Sequence, residues 1–225
     1  MKRTALLSWS SGKDCAWALH RLRQSDEVEV VGLVTTYNEA FDRVAMHGVK
    51  LEFVQAQAQT ADLPLWTIPL PWPCTNEIYE ARMQSVFERA RSEGIQSFAF
   101  GDLHLTEIRA YRERQLEGSG LKPLFPVWGT PDDTPQLART MINSGLKATL
   151  TCVDPKQLDP SFVGREFDNS LLADLPRNVD PCGERGEFHT YCHTGPMFQF
   201  PVPVHTGERV ERDGFWFAEL YQDQG

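Results

Sequence analysis

Ser10-Ser11-Gly12-Lys13-Asp14-Cys15 sets two hydroxyls, an ammonium, a carboxylate and a thiol side by side, directly after the apolar run Ala5-Leu6-Leu7-Ser8-Trp9. A loop between a strand and a helix presents unpaired backbone N–H groups and the positive end of a helix dipole, which together attract a phosphate. Gly12 leaves room for that approach, Lys13 adds a mobile positive charge, and the Ser10 and Ser11 hydroxyls can donate. The spacing is neither the G-x-x-x-x-G-K-[ST] loop nor the G-x-G-x-x-G fingerprint, and a plain tight turn is the alternative. Cys15 is either a thiol activated at a helix start beside Lys13 or a small residue packed beneath the loop. The second is favoured, because no partner base stands near it.

Gly101-Asp102 closes the run Ser97-Phe98-Ala99-Phe100, and Arg109 and Glu113 stand four apart in the stretch that follows. Ligands of open α/β sheets sit beyond the carboxyl ends of the strands. Asp102 is therefore placed to hold a magnesium ion or a substrate amine, with a strand-ending Asp beside a surface ion pair as the plain alternative. A third group lies far along the chain, where Cys182, Glu184, Glu187, His189 and Thr190 crowd one loop between Pro181 and the next aromatic stretch. A solvated hairpin is its plain alternative. Zinc on Cys182, His189, Cys192 and His193 is disfavoured for want of paired CxxC or HxxxH spacing, and no metal ligands are assigned.

These groups need elements to position them. Apolar, β-branched runs predict strands over 5–9, 28–34, 65–70, 97–100 and 148–153. Helical spacing predicts helices over 14–23, 44–61, 76–92, 106–116 and 134–143. Asn76 is the expected cap of the third, with Ile78, Met83, Val86 and Phe87 as its buried stripe and Gly94 as its stop. Strands alternating with helices, the central strands apolar nearly throughout, predict a parallel sheet covered on both faces. Beyond about residue 130 the texture turns irregular and rich in Pro, Asp and Gly, which predicts a smaller α+β part.

The 225 residues suffice to bury a core without disulfides. Lys plus Arg number 22 against 31 for Asp plus Glu, a net charge of −9 that repels a phosphate backbone. Nucleic acid is not expected as a partner, nor is a membrane, since no apolar run reaches spanning length. No signal-type segment opens the sequence, and the five scattered cysteines read as reduced thiols. A cytoplasmic protein is the expectation, with a homo-oligomer left open.

Together the three groups resemble the diphthine–ammonia ligase family, the diphthamide synthase ATP-binding domain, within the PP-loop ATP pyrophosphatases. That loop is usually Ser-Gly-Gly-x-Asp-Ser; Ser10, Gly12 and Asp14 match it, while Ser11 replaces a glycine and Cys15 a serine. The family carries Gly-Asp with an Arg and a Glu on the next helix, as at Gly101, Asp102, Arg109 and Glu113. It also carries Cys-Gly-Glu-x-Gly-Glu-[Tyr/Phe]-x-Thr before Pro-x-Phe, as from Cys182 to Thr190 with Pro196-Met197-Phe198; His189 stands where many relatives have Glu.

The resemblance implies a Rossmann-like PP-loop ATP domain over 1–130 and a smaller substrate-binding α+β domain over 131–225. It implies adenylation of a carboxylate by ATP with Mg2+, releasing pyrophosphate, and displacement of AMP by ammonia. The acceptor is a small-molecule or protein-borne carboxylate. Ser10, Ser11, Gly12, Lys13, Asp14 and Cys15 would bind ATP; Asp102, Arg109, Glu184 and Glu187 would be catalytic, the two glutamates handling ammonium. A PP-loop enzyme acting on tRNA or another small acceptor, and a non-catalytic nucleotide-binding module, are the alternatives. The charge and the absent CxxC count against tRNA, and the carboxylate-rich loop counts against a bare sensor.

Overall fold

The computed structural model describes residues 2–44 and 47–222. Five strands, β1 (Arg3–Ser8), β2 (Val28–Asn38), β3 (Leu65–Leu70), β4 (Ser97–Ala99) and β5 (Lys122–Leu124), form a parallel sheet in the order β3-β2-β1-β4-β5. The crossovers are α1 (Lys13–Arg23), α2 (Leu51–Thr60), α3 (Asn76–Ser92) and α4 (Thr106–Leu116). Successive side chains of a strand leave opposite faces, and β1 shows the consequence. Ala5 and Leu7 pack with α1 and α2, whereas Leu6 packs with Met83, Val86, Phe87 and Ala90 of α3. Both faces of the sheet are thus covered, as the unbroken apolar strands required.

Next come α5 (Thr134–Asn143), β6 (Lys147–Val153), α6 (Asn169–Asp174), β7 (Phe188–Thr194), β8 (Val204–Arg212) and β9 (Phe215–Gln222). The last four strands make an antiparallel sheet in the order β7-β6-β9-β8. One buried cluster runs from Leu7 and Trp9 through α1 to Leu150, Tyr191 and Met197, so the two sheets share a core. Cys192 N–H donates to the Ser11 carbonyl at 2.9 Å, joining β7 to the loop after β1. No helix of the described residues is long and apolar enough to cross a membrane.

Several local expectations change. The helix expected over 44–61 begins only at Leu51; residues 45 and 46 lie outside the described residues. Ahead of it, Arg43 bridges both Asn38 and Lys50 in short antiparallel contacts, and its guanidinium pairs with Glu219 of β9 at 2.9 Å. Within the expected helix, Val44 N–H donates to the Val49 carbonyl at 2.8 Å and Gly48, at φ +66°, packs against Phe217 of β9, so the chain turns before the helix starts. Helix α3 is capped by Thr75, whose hydroxyl accepts from Ile78 N–H, and Ile78 itself is exposed. Strand β5 holds Pro123, which an edge strand tolerates because it can turn its missing donor outward. Beyond the expected strands, β8 and β9 form a hairpin whose turn is Asp213-Gly214, both at positive φ.

Gly101 ends β4 against the first turn of α1. A Cβ there would lie 2.8 Å from Cys15 N and 3.0 Å from its Cα, backbone atoms that cannot swing aside. Gly101→Ala is expected to destabilise the fold by about 1–3 kcal/mol, the usual scale of overpacking, seen as a lower urea midpoint at unchanged slope.

Candidate active site

Strand β1, central in the sheet, delivers Ser10, Ser11 and Gly12 to the start of α1. Ser11 has φ +74°, a left-handed backbone that suits the glycine usual at that place. Its carbonyl is held by the N–H of Cys192 and by the buried Gln57 amide, each at 2.9 Å. Its buried hydroxyl has no hydrogen bond among the described residues. Gly12 touches the other side of the loop: a Cβ on it would meet His47 Cε1 at 2.8 Å and the Thr190 carbonyl at 3.4 Å. The Thr190 hydroxyl accepts the Lys13 N–H at 3.0 Å, meeting one of the donors that a helix start leaves open.

The Lys13 ammonium is not a mobile charge. It is buried, bonded to Asp14 at 2.9 Å and to the Cys182 carbonyl, and lies 5.4 Å from the Phe167 and Phe188 ring centres. Burial works against its charge, but Asp14, Cys182 and Glu184 outweigh this and hold its pKa above the ordinary value. Cys15 is the packed residue of the two readings. Its thiol donates to the Gly12 carbonyl, and burial pushes its pKa up to about 11, which leaves little thiolate at neutral pH.

Asp102 lies just past β4 at the cavity wall, and burial raises its pKa against the pull of Arg112. Arg109 does not line that cavity. It faces outward on α4, paired with Glu113 at 2.9 Å and stacked over Phe125 and Trp128. The cation turned inward is Arg112, with Nε 3.6 Å from Asp102 Oδ2. Leu105, just before α4, and Ile108 and Arg112 on it share one stripe toward the cavity; that i, i+3, i+7 spacing was the available sequence signal.

The two glutamates of the carboxyl-terminal loop part company. Glu184 lines the cavity, and its Oε1 accepts from Leu103 N–H at 2.7 Å and His104 N–H at 3.3 Å. Burial and the neighbouring Asp14 carry its pKa to about 7, despite those two donors. Glu187 is buried away from the cavity and accepts from the N–H groups of Asp180 at 2.8 Å and Arg185 at 2.9 Å. Asp180 in turn bonds His104 Nε2 at 2.9 Å and the Cys182 N–H at 2.7 Å. This buried pair, which no spacing announced, ties the loop to the segment after β4.

Thus Ser10, Lys13, Asp14 and Cys15 of the loop, Asp102 and Glu184 line one cavity of about 480 Å³ at the carboxyl end of the parallel sheet, joined by His47 and His189, whereas Ser11 and Gly12 are buried and do not line it. The two imidazoles lie 4.8 Å apart, and burial lowers their pKa values to about 4 and 3, so both are neutral at pH 7. Asp14 Oδ1 and Asp102 Oδ2 have no hydrogen bond among the described residues. No group of three or more His, Cys, Asp or Glu among them is arranged to hold a metal ion. Cys182 and Cys192 donate to the Thr134 and Thr194 carbonyls, and His193 pairs with Glu166.

A parallel sheet whose central strand feeds a small-residue loop, with Asp14 and Asp102 on its own side and Glu184 arriving from the loop before β7, is the arrangement of an α/β ligand cleft. Residues 1–123 match the family described as diphthamide synthase N-terminal domain, and residues 133–222 the diphthamide synthase C-terminal domain. The chain belongs to this diphthamide synthase domain family. It is similar to the diphthine–ammonia ligase of Homo sapiens, 29% identical over 150 residues, covering 64% of this chain and 54% of that protein. The Bos taurus diphthine–ammonia ligase is 28% identical over the same shares. The chain thus spans about half the length of these relatives.

Two outcomes follow from the site's geometry. Ser11→Gly relieves a left-handed side chain and an unmet buried hydroxyl, and is expected to raise unfolding stability by about 1 kcal/mol, measured by denaturant titration. For Glu184, the folded pKa of about 7 exceeds the ordinary 4.5, so the folded state binds the extra proton between them. The stability this contributes is full below pH 4.5 and is lost as pH rises through about 7. Glu184→Gln keeps the acceptor for both N–H groups, and its stability profile should flatten across that window.

Proposed function

We propose that the chain is an ATP-dependent, amide-forming ligase of the diphthine–ammonia ligase type. The observation that carries this is the meeting, in one cavity, of Ser10, Asp14 and Cys15 from the loop with Asp102 and Glu184. Ser10, Ser11, Gly12, Asp14 and Cys15 seat the ATP phosphates on loop backbone and first-turn N–H groups, while Lys13 holds that loop in shape from beneath. A carboxylate oxygen of the acceptor attacks the α-phosphorus and pyrophosphate leaves, giving an acyl adenylate. Ammonia then attacks the acyl carbon, AMP leaves, and the nitrogen gives up a proton. Glu184 takes that proton: a carboxylate poised near neutrality is suited to accept it. Glu187 acts by holding the loop that presents Glu184, and Arg109, outside the cavity, takes no part in these steps.

Asp14 and Asp102 fit a magnesium ion that comes with the nucleotide, since each has an oxygen without a hydrogen bond and magnesium takes one or two carboxylates plus phosphate oxygens. When bound, it offsets the charge of the polyphosphate. The acceptor is a carboxylate, and a membrane or nucleic-acid partner is not part of the proposal.

The test is product analysis. ATP supplied with ammonium and acceptor should yield AMP and pyrophosphate; ADP as the product would refute the ligase. Glu184→Gln should lower acceptor-dependent AMP release by roughly a hundredfold, the scale of a lost general base. ATP affinity should stay within a few-fold, or about 1 kcal/mol.

A further inference from the structure

Ser11 holds a shape that its own side chain disfavours. Its φ of +74° is left-handed, a conformation that is costly for a residue with a Cβ and readily taken by glycine. Its hydroxyl offers no compensation, since it is buried without a hydrogen bond among the described residues. What keeps the loop in this shape is read from the contacts of the Ser11 carbonyl.

Gln57 of α2 is fully buried beside that carbonyl. Its side chain makes three hydrogen bonds, and they leave no choice of amide orientation. The Trp9 indole N–H can only donate, so it meets Oε1, at 2.8 Å. Nε2 then faces two carbonyls, which can only accept: Ser11 at 2.9 Å and Cys192 at 2.6 Å. The Cys192 N–H supplies a second donor to the Ser11 carbonyl, also at 2.9 Å. One amide thus grips Trp9 just past β1, the loop at Ser11 and the second sheet at Cys192. Ser10, which lines the cavity, stands between the first two, while Gln57 itself lies outside the lining.

We infer that Gln57 is a positioning residue for the nucleotide: its buried amide holds Ser11 in the left-handed shape that a glycine takes unaided, and so keeps the loop ready for phosphate. This rests on the reading of the loop as the ATP site and adds a residue, remote from the phosphates, on which that site depends. The size of the effect follows from populations. A serine released from the hold favours other conformations by roughly five- to thirtyfold, the ratio equivalent to the usual cost of the left-handed region. A glycine divides itself about evenly between the two hands. Apparent affinity falls with the fraction of molecules left in the competent shape.

The experiment measures ATP affinity by calorimetry, with magnesium and the whole chain, in the wild type, Gln57→Met, Ser11→Gly and the two changes combined. Methionine matches glutamine in length and carries no donor. Gln57→Met should weaken ATP binding about fivefold or more beside serine, and by no more than about twofold beside glycine. A merely structural Gln57 would lower the urea midpoint and reduce affinity by the same factor in both backgrounds. That result overturns the inference, as does wild-type affinity in Gln57→Met. Gln57→Glu keeps the Trp9 bond and replaces two donors by one at most, so it is the milder change if methionine does not fold. The same contrast between serine and glycine is expected of it, greatest at alkaline pH, where its carboxylate has lost the last donor. ATP bound by the wild type with no contrast between backgrounds leaves the nucleotide reading standing while this inference falls; no ATP binding by the wild type removes the nucleotide reading itself.

Discussion

The Lys13 ammonium is enclosed where the two sheets meet, and most of the site depends on that enclosure. Its partners are Asp14 on its own helix and the Cys182 carbonyl from the far loop, with the rings of Phe167 and Phe188 nearby. A buried charge is tolerated only while its partners remain in place, and losing one typically costs about 3–5 kcal/mol. The start of α1 therefore acquires its shape only with residues 167–190 packed upon it. Thr190 capping Lys13 N–H, and Gln57 bridging the carbonyls of Ser11 and Cys192, extend the same dependence to the backbone.

That arrangement gives the cavity a definite electrical character. Packing the acidic loop against the strand ends brings Asp14, Asp102 and Glu184 close in a partly dry space, where like charges and burial both favour protons. Arg112 relieves Asp102, and Lys13 relieves Asp14 from below. Glu184 has only two backbone N–H groups to offset its charge, and burial with the nearby Asp14 carries its pKa to about 7. The imidazoles of His47 and His189 add no positive charge to compensate. Proton acceptance at one carboxylate and cation attraction at the others follow from the same crowding.

The parallel sheet was legible because its signals are local. Alternation of apolar strands with helices of period 3.6 survives any tertiary rearrangement, and β3, α3, α4 and α5 lie where those periods place them. Segments whose conformation is decided by distant contacts were not legible. The helix expected over 44–61 starts only at Leu51, and just ahead of that stretch Arg43 is drawn to Glu219, 176 residues away in sequence. The hairpin at Asp213-Gly214 is local in its signal, since both residues take the positive φ that such a turn needs.

By itself the sequence determined the chemistry available: a small-residue loop after the first strand, an acid at the end of the fourth, and a carboxylate loop near the end. It also determined that this chemistry sits at the carboxyl edge of a parallel sheet, because crossover connections leave no other common edge for those loops. Only the tertiary structure decided which atoms of each group meet. Helix phase turned Arg112 inward and Arg109 outward, backbone satisfaction buried Glu187 and presented Glu184, and packing made Lys13 a brace beneath the loop. These choices depend on side-chain direction and burial set by residues distant in the chain, and no local spacing encodes them.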